Sequence, residues 1–181
     1  MFYICALGSN ISPETHIPLA MERLAHLYER LWVSQLIYTV PVGLLSSDKR
    51  FINGIVAFHT SQAATETKKQ LCQVETYLGR NRNDPLSKVK DRVLDLDILF
   101  NGSPEKARSF RSNEPYLKAC NQALQGEQAD YNTDIVLNLN GLPFGQRPAT
   151  IYLDGGTSHI RVQHQEFNGF IDRTISTFDV E

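Results

Sequence analysis

Across the first hundred residues, apolar positions alternate between a strand period of two and a helix period near 3.6. This ordered alternation restricts the fold more than any other feature of the chain. Phe2–Leu7 is a short apolar run closed by Gly8-Ser9-Asn10, the pattern of a buried strand and its turn. Ser12-Pro13 then supplies a helix cap and a first-turn proline. Ile17, Ala20, Leu24, Leu27 and Leu31 recur at helical spacing and predict one apolar stripe. Leu31–Thr39 predicts a second strand, followed by a loop through Val40-Pro41-Val42-Gly43 to Arg50. Phe51–Thr60 predicts a third strand. Ala64, Leu71, Val74 and Leu78 mark a second helix, with Gly79 suited to its C-terminal cap. A charged loop from Arg80 to Asp91 leads into a fourth strand, Arg92–Phe100.

The predicted order, β-α-β-β-α-β, is that of a ferredoxin-like core, an α+β fold with an antiparallel sheet and helices on one face. Beyond it the chain changes character. Residues 1–100 carry 11 basic and 10 acidic side chains, whereas residues 101–181 carry 7 and 10. Eleven Asn and Gln residues lie from Asn121 onward. Asp134–Leu139, Thr150–Leu153, His159–His164 and Gly169–Thr177 read as strands separated by turns such as Gly155-Gly156. The expectation is a core over 1–116 and a β-rich C-terminal extension over 117–181, packed as part of the same domain.

One segment stands out chemically, Arg92-Val93-Leu94-Asp95-Leu96-Asp97-Ile98-Leu99. Residues two apart on a strand share a face, so Asp95 and Asp97 present adjacent carboxylates while Leu94, Leu96 and Ile98 face the core. Carboxylates this close raise each other's proton affinity unless a cation sits between them. Hard oxygen ligands suit Mg²⁺, which also takes phosphate oxygens. Arg80, Arg82, Lys88, Lys90 and Arg92 crowd the preceding loop, and guanidinium groups grip phosphate oxygens bidentately. The plainer alternative is a solvated outer face beside a loop of mixed charge. The carboxylate pair and the arginines together meet the needs of metal-assisted phosphoryl transfer.

Other chemistries find less support. The net charge of −2 argues against a general nucleic-acid binder, and no apolar run approaches the roughly 20 residues of a membrane span. Cys5, Cys72 and Cys120 form no metal-binding or disulfide pattern and are read as reduced thiols of a cytoplasmic protein. The five histidines have no zinc-site company. Neither a P-loop nor a dinucleotide-binding glycine motif occurs, so any nucleotide site must be built otherwise.

Five fragments, in order and spacing, resemble one family. They are Ala6-Leu7-Gly8-Ser9-Asn10; Tyr38-Thr39-Val40-Pro41-Val42-Gly43; Phe51-Ile52-Asn53; Glu75-Thr76-Tyr77-Leu78-Gly79-Arg80-Asn81-Arg82; and Arg92 to Leu99. The resemblance is to the 6-hydroxymethyl-7,8-dihydropterin pyrophosphokinases of folate biosynthesis, and it covers about residues 1–116. It implies transfer of pyrophosphate from ATP to the hydroxymethyl group of a reduced pterin, with release of AMP. Carried over by position, Asp95 and Asp97 would hold two Mg²⁺ ions, and Arg82 and Arg92 would act with them on the phosphates. Glu75, Ile98, Arg111, Asn113 and Tyr116 would contact ATP together with Arg82 and Arg92. Thr39, Val42, Phe51 and Asn53 would line the pterin pocket. The loops Val42–Arg50 and Arg80–Asp91 would serve as lids. The partners implied are these small molecules alone, with no nucleic acid or membrane, and the protein is expected to be a monomer.

The resemblance weakens after the fourth strand. Tyr116 stands where the family usually has His, and Gln122 and Leu124 lie near its Arg and second aromatic position. These departures motivate one rival, a relative that binds a pterin or nucleotide without turnover. A ferredoxin-like RNA-binding module is a second rival, disfavoured by the charge balance and by the absence of aromatic pairs on central strands.

Overall fold

The fold is described from a computed structural model, which covers residues 1–41, 47–87, 89–126, 134–155 and 157–178. The first hundred residues follow the expected order: β1 (Phe2–Ser9), α1 (Pro13–Tyr28), β2 (Arg30–Val33), β3 (Ile37–Thr39), β4 (Phe51–His59), α2 (Ala64–Tyr77) and β5 (Asp95–Gly102). Then come α3 (Pro104–Ser109), a short 3-10 turn (Pro115–Leu117), α4 (Lys118–Gln125), the strands β6 (Leu137–Leu139), β7 (Leu142–Phe144), β8 (Ala149–Leu153) and β9 (Ile160–His164), and finally α5 (Phe167–Phe178). The protein is a mixed α/β structure built on an antiparallel sheet. Its strands lie in the order β5-β1-β4-β2-β8-β9, and β3 also pairs with β4.

Every residue of β1 is buried, as are seven of the nine in β4. A strand apolar at both odd and even positions must be covered on both faces. Tyr3, Cys5, Leu7, Val56 and Phe58 pack with Ile17, Met21, Leu24, Leu71 and Val74 of α1 and α2. Phe2, Ile4, Ala6, Trp32, Ile55 and Ala57 face the other way, onto Ala107, Cys120, Leu124, Phe167, Phe170 and Ile171 of α3, α4 and α5. Helices therefore cover both faces of the sheet, not one as expected. The unbroken apolar run of β1 is the physical reason.

Four further expectations are corrected. Leu27 lies off the buried stripe of α1 and is 45% exposed, and Leu31 already belongs to β2. The expected Leu31–Thr39 strand is broken at Ser34-Gln35-Leu36. There the Ser34 hydroxyl donates to the Gln35 carbonyl at 2.7 Å and accepts the Ile55 amide at 2.9 Å, so a side chain takes over part of the ladder. Only Leu137–Leu139 of the expected Asp134–Leu139 strand is extended. It forms a hairpin with β7 through Asn140-Gly141, both with positive φ (53° and 84°), the conformation that an Asn-Gly turn favours. Gly169–Thr177, expected as a strand, is helical within α5. Its buried Phe167, Phe170, Ile171 and Thr174 recur at i, i+3, i+4 and i+7. The extension is thus mixed. It adds β8 and β9 to the main sheet and two helices to the face opposite α1 and α2.

Candidate active site

Strand register assembles the site. Gly8 of β1 lies opposite both Asn53 of β4 and Asp95 of β5, Ala6 lies opposite Asp97, and Phe51 lies opposite Thr39 of β3. Directly opposed residues share a face. Thr39, Phe51, Asn53, Gly8, Ala6, Asp95 and Asp97 therefore meet on one surface of the sheet. With Val40, Arg92 and the Glu114-Pro115-Tyr116 segment they line one cavity of about 290 Å³.

Glycine is required at position 8 by proximity. A Cβ there would lie 2.6 Å from Asn53 Oδ1. The Asn53 amide donates to Thr39 Oγ1 at 2.6 Å, which fixes its plane. The polar turn after β1 also has a positioning task. Ser9 Oγ donates to the Val93 carbonyl at 2.7 Å, and Asn10 Oδ1 accepts the Arg92 amide at 2.7 Å. The backbone amides of Asn10 and Ile11 both donate to the Arg92 carbonyl. Gly8-Ser9-Asn10 thereby clamps the chain as it enters β5 and sets where Arg92 and Asp95 stand.

The acid–base network continues behind the cavity. Asp95 accepts from Arg80 on one oxygen and from Arg92 on the other. Arg80 also donates to Glu75 at 3.1 Å and to the Leu94 carbonyl at 3.0 Å. Glu75, fully buried on α2, accepts the Leu96 amide at 2.7 Å and is gripped by Arg82. Burial pushes the Glu75 carboxyl upward, while the Leu96 amide, Arg80 and Arg82 pull against it. Asp97 accepts from Lys68 Nζ at 2.7 Å. Burial opposes its charge, but the Lys68 hydrogen bond and the charges of Lys68, Arg80 and Arg82 outweigh it and hold the carboxyl below its usual range.

The Glu114–Tyr116 wall is tied down from α4. The Ser112 amide donates to Asn121 Oδ1, whose amide returns a bond to the Ser112 carbonyl, both at 2.8 Å. Gln35 donates to the Ala119 carbonyl at 2.9 Å, joining α4 to the β2–β3 break. Burial, then Glu114, Asp95 and Asp97, push the Tyr116 phenol up to about 12, so it is neutral at physiological pH and can donate.

Of the residues singled out from sequence, Thr39, Phe51, Asn53, Arg92, Asp95, Asp97 and Tyr116 meet at the cavity. Arg82 and Glu75 sit behind it, bonded to each other. Ile98 points to the opposite face, against the α1–α2 core. Arg111 donates to the Arg108 and Phe110 carbonyls, and Asn113 is exposed; neither is part of the lining. Val42 lies outside the described residues. Gln122 is exposed and Leu124 fully buried on α4. Sequence reasoning missed Lys68 as a site residue. It counted Arg80 only as loop charge. Lys68 had one available signal: it lies seven residues before Glu75 on the same face of α2.

The donor set fits Mg²⁺. Among the described residues no cluster of three or more His, Cys, Asp or Glu side chains is gathered as a protein metal cage. Two adjacent carboxylates opening on a cavity are the arrangement Mg²⁺ uses when substrate phosphates complete its shell.

One sheet face thus carries paired carboxylates, flanking arginines and an aromatic–amide slot around one cavity. Residues 4–128 match the 7,8-dihydro-6-hydroxymethylpterin-pyrophosphokinase family, and the chain belongs to that family. It is similar to a 2-amino-4-hydroxy-6-hydroxymethyldihydropteridine pyrophosphokinase of Pseudomonas aeruginosa, 35% identical over 100 residues. That match covers 54% of this chain and 59% of the relative.

Proposed function

We propose that this protein transfers pyrophosphate from ATP to 6-hydroxymethyl-7,8-dihydropterin and releases AMP. One observation carries the reading: strand register brings the carboxylate pair and the Thr39–Phe51–Asn53 slot onto one face, around one cavity. The strand order β5-β1-β4-β2, with β3 continuing β2 along β4, supports a ferredoxin-like core for residues 1–116. We take the extension as part of the same folding unit.

Phe51 offers an aromatic face to a flat heterocycle, and the Asn53 amide offers a donor and an acceptor to its edge. The pterin hydroxymethyl oxygen would then be directed toward the β-phosphorus of ATP. A new O–P bond forms there as the bond to the α,β-bridging oxygen breaks; the hydroxyl proton is released to water and AMP leaves with the bridging oxygen. Asp95 and Asp97 would hold two Mg²⁺ ions, which would supply charge neutralisation at the phosphates. Arg92, at the cavity wall, would meet phosphate charge. Arg80 would hold Asp95 from behind, with Glu75 and Arg82 keeping Arg80 in place. The Tyr116 hydroxyl, in the same cavity lining, would donate to a phosphate oxygen. Catalysis of this kind is positioning and charge neutralisation.

The test is AMP release from ATP and Mg²⁺ with and without the pterin. Pterin-dependent AMP is expected from the native protein. Asp95→Ala and Asp97→Ala should each lower it by about 10²-fold or more, the scale of losing one electrostatic contact to the transition state. AMP formed equally without pterin, or unchanged in both variants, would overturn the reading.

A further inference from the structure

We infer that Lys68 is a positioning residue that competes with divalent metal for Asp97, and so sets how much metal the site requires. The inference rests on the proposed metal role of Asp97 and adds a residue that role does not need.

The geometry is specific. Lys68 Nζ donates to Asp97 Oδ1 at 2.7 Å and to the Leu96 carbonyl at 2.9 Å. Both acceptors lie on the edge strand β5, and Lys68 reaches them from α2. The ammonium thus has a side-chain partner that can leave and a backbone partner that cannot. When Asp97 turns toward a metal ion, Lys68 keeps its bond to the Leu96 carbonyl and stays beside the site as a resident positive charge. It acts in two ways. Without metal it holds Asp97 ordered next to Asp95, whose own oxygens are taken by Arg80 and Arg92. With metal it opposes the incoming charge. Asp97 differs from Asp95 here: Asp95 is held by two guanidinium groups that the reading assigns to phosphate binding and positioning, whereas Lys68 stands outside the cavity lining. Its pairing with Asp97 is therefore a local contest over one carboxylate.

The neighbouring Lys69 provides an internal control. It lies one residue away and pairs with Glu66 across 3.8 Å on the exposed side of α2. Removing it changes the same net charge without touching Asp97.

The experiment is titration with Mn²⁺, followed by electron paramagnetic resonance, in the presence of a saturating non-hydrolysable ATP analogue. It reads metal affinity without turnover. Lys68→Met should bind Mn²⁺ about two- to fivefold more tightly than the native protein, the scale of one partly exposed ion pair. Lys68→Arg should restore the native affinity, and Lys69→Met should leave it unchanged. Combining Lys68→Met with Asp97→Asn should abolish the gain. Asp97-dependent Mn²⁺ binding that is the same in Lys68→Met and the native protein would overturn the inference alone. The same holds if Lys69→Met gives an equal gain. Mn²⁺ binding that Asp97→Asn leaves intact would overturn the metal reading, and the inference with it.

Discussion

The shared face of Asp95 and Asp97 is legible in the sequence because strand periodicity converts a spacing of two into a common side without knowledge of any other element. Arg80 and Lys68 escaped because their importance comes from contacts across elements, to Asp95 and Asp97 on β5, which no local pattern encodes. Gly8 falls between these cases. As part of Gly8-Ser9-Asn10 it reads as a plain turn, yet its position opposite Asn53 leaves no room for a methyl group. Gly8→Ala would place a Cβ 2.6 Å from Asn53 Oδ1, and the Thr39 hydroxyl holds that amide from the other end. The amide must rotate or the strands must part. Overpacking of this kind costs about 1–3 kcal/mol, so the variant is expected to fold while losing its aligned slot. Titration calorimetry should show pterin affinity reduced by about tenfold or more, with ATP-analogue affinity within about twofold. Equal loss for both ligands would mean that Gly8 serves the sheet and not the slot.

Elements differed in legibility according to how locally they are determined. α1 and α2 are legible as helices because each carries its own apolar stripe, and Gly79 follows the end of α2 with positive φ. The apolar spacing of α1 runs one turn too far, to Leu31, and Ser12 makes no side-chain cap hydrogen bond. The β2–β3 break was not, since it depends on the Ser34 hydroxyl bonding to Ile55 on another strand. In β5 a register irregularity opposite Ile4 and Cys5 sends Ile98 to the α1–α2 side and Phe100 to the other. Simple alternation would have kept the two together. α5 was mistaken for a strand although its helical spacing was present. The β-branched and aromatic residues Phe170, Ile171, Thr174 and Ile175 favour strand by composition, and the i, i+3, i+4 pattern outweighs that preference once a core is there to receive it. Phe170 is fully buried in that core, edge-on to Phe2 with ring centroids 6.2 Å apart. Phe170→Ala is expected to cost about 3–5 kcal/mol in urea or guanidinium unfolding, the range for truncating a buried aromatic. A loss under about 1 kcal/mol would mean that α5 does not help hold the sheet.

At the scale of the whole molecule, the question is whether the carboxylate site can exist without the extension. β1 and β4 present Phe2, Ile4, Ile55 and Ala57 on the face away from α1 and α2, and α3, α4 and α5 cover them. β8 pairs with β2 over four residues, from Arg30–Tyr152 to Val33–Ala149. Trp32, fully buried, donates from Nε1 to the Gln165 carbonyl at 2.9 Å, beyond β9. The site lies on that same face, walled by Glu114–Tyr116 just before α4. A chain ending at residue 128, where the family match stops, would expose the apolar surface around Trp32 and leave the β2 edge unpaired. Such a fragment is expected to lose its near-ultraviolet circular dichroism, bind a hydrophobic dye and show no pterin-dependent AMP release. A fragment that instead unfolds cooperatively and binds pterin with native affinity would show that the family-matched region is self-sufficient. The extension would then be an addition to the family-matched region and not one wall of its core.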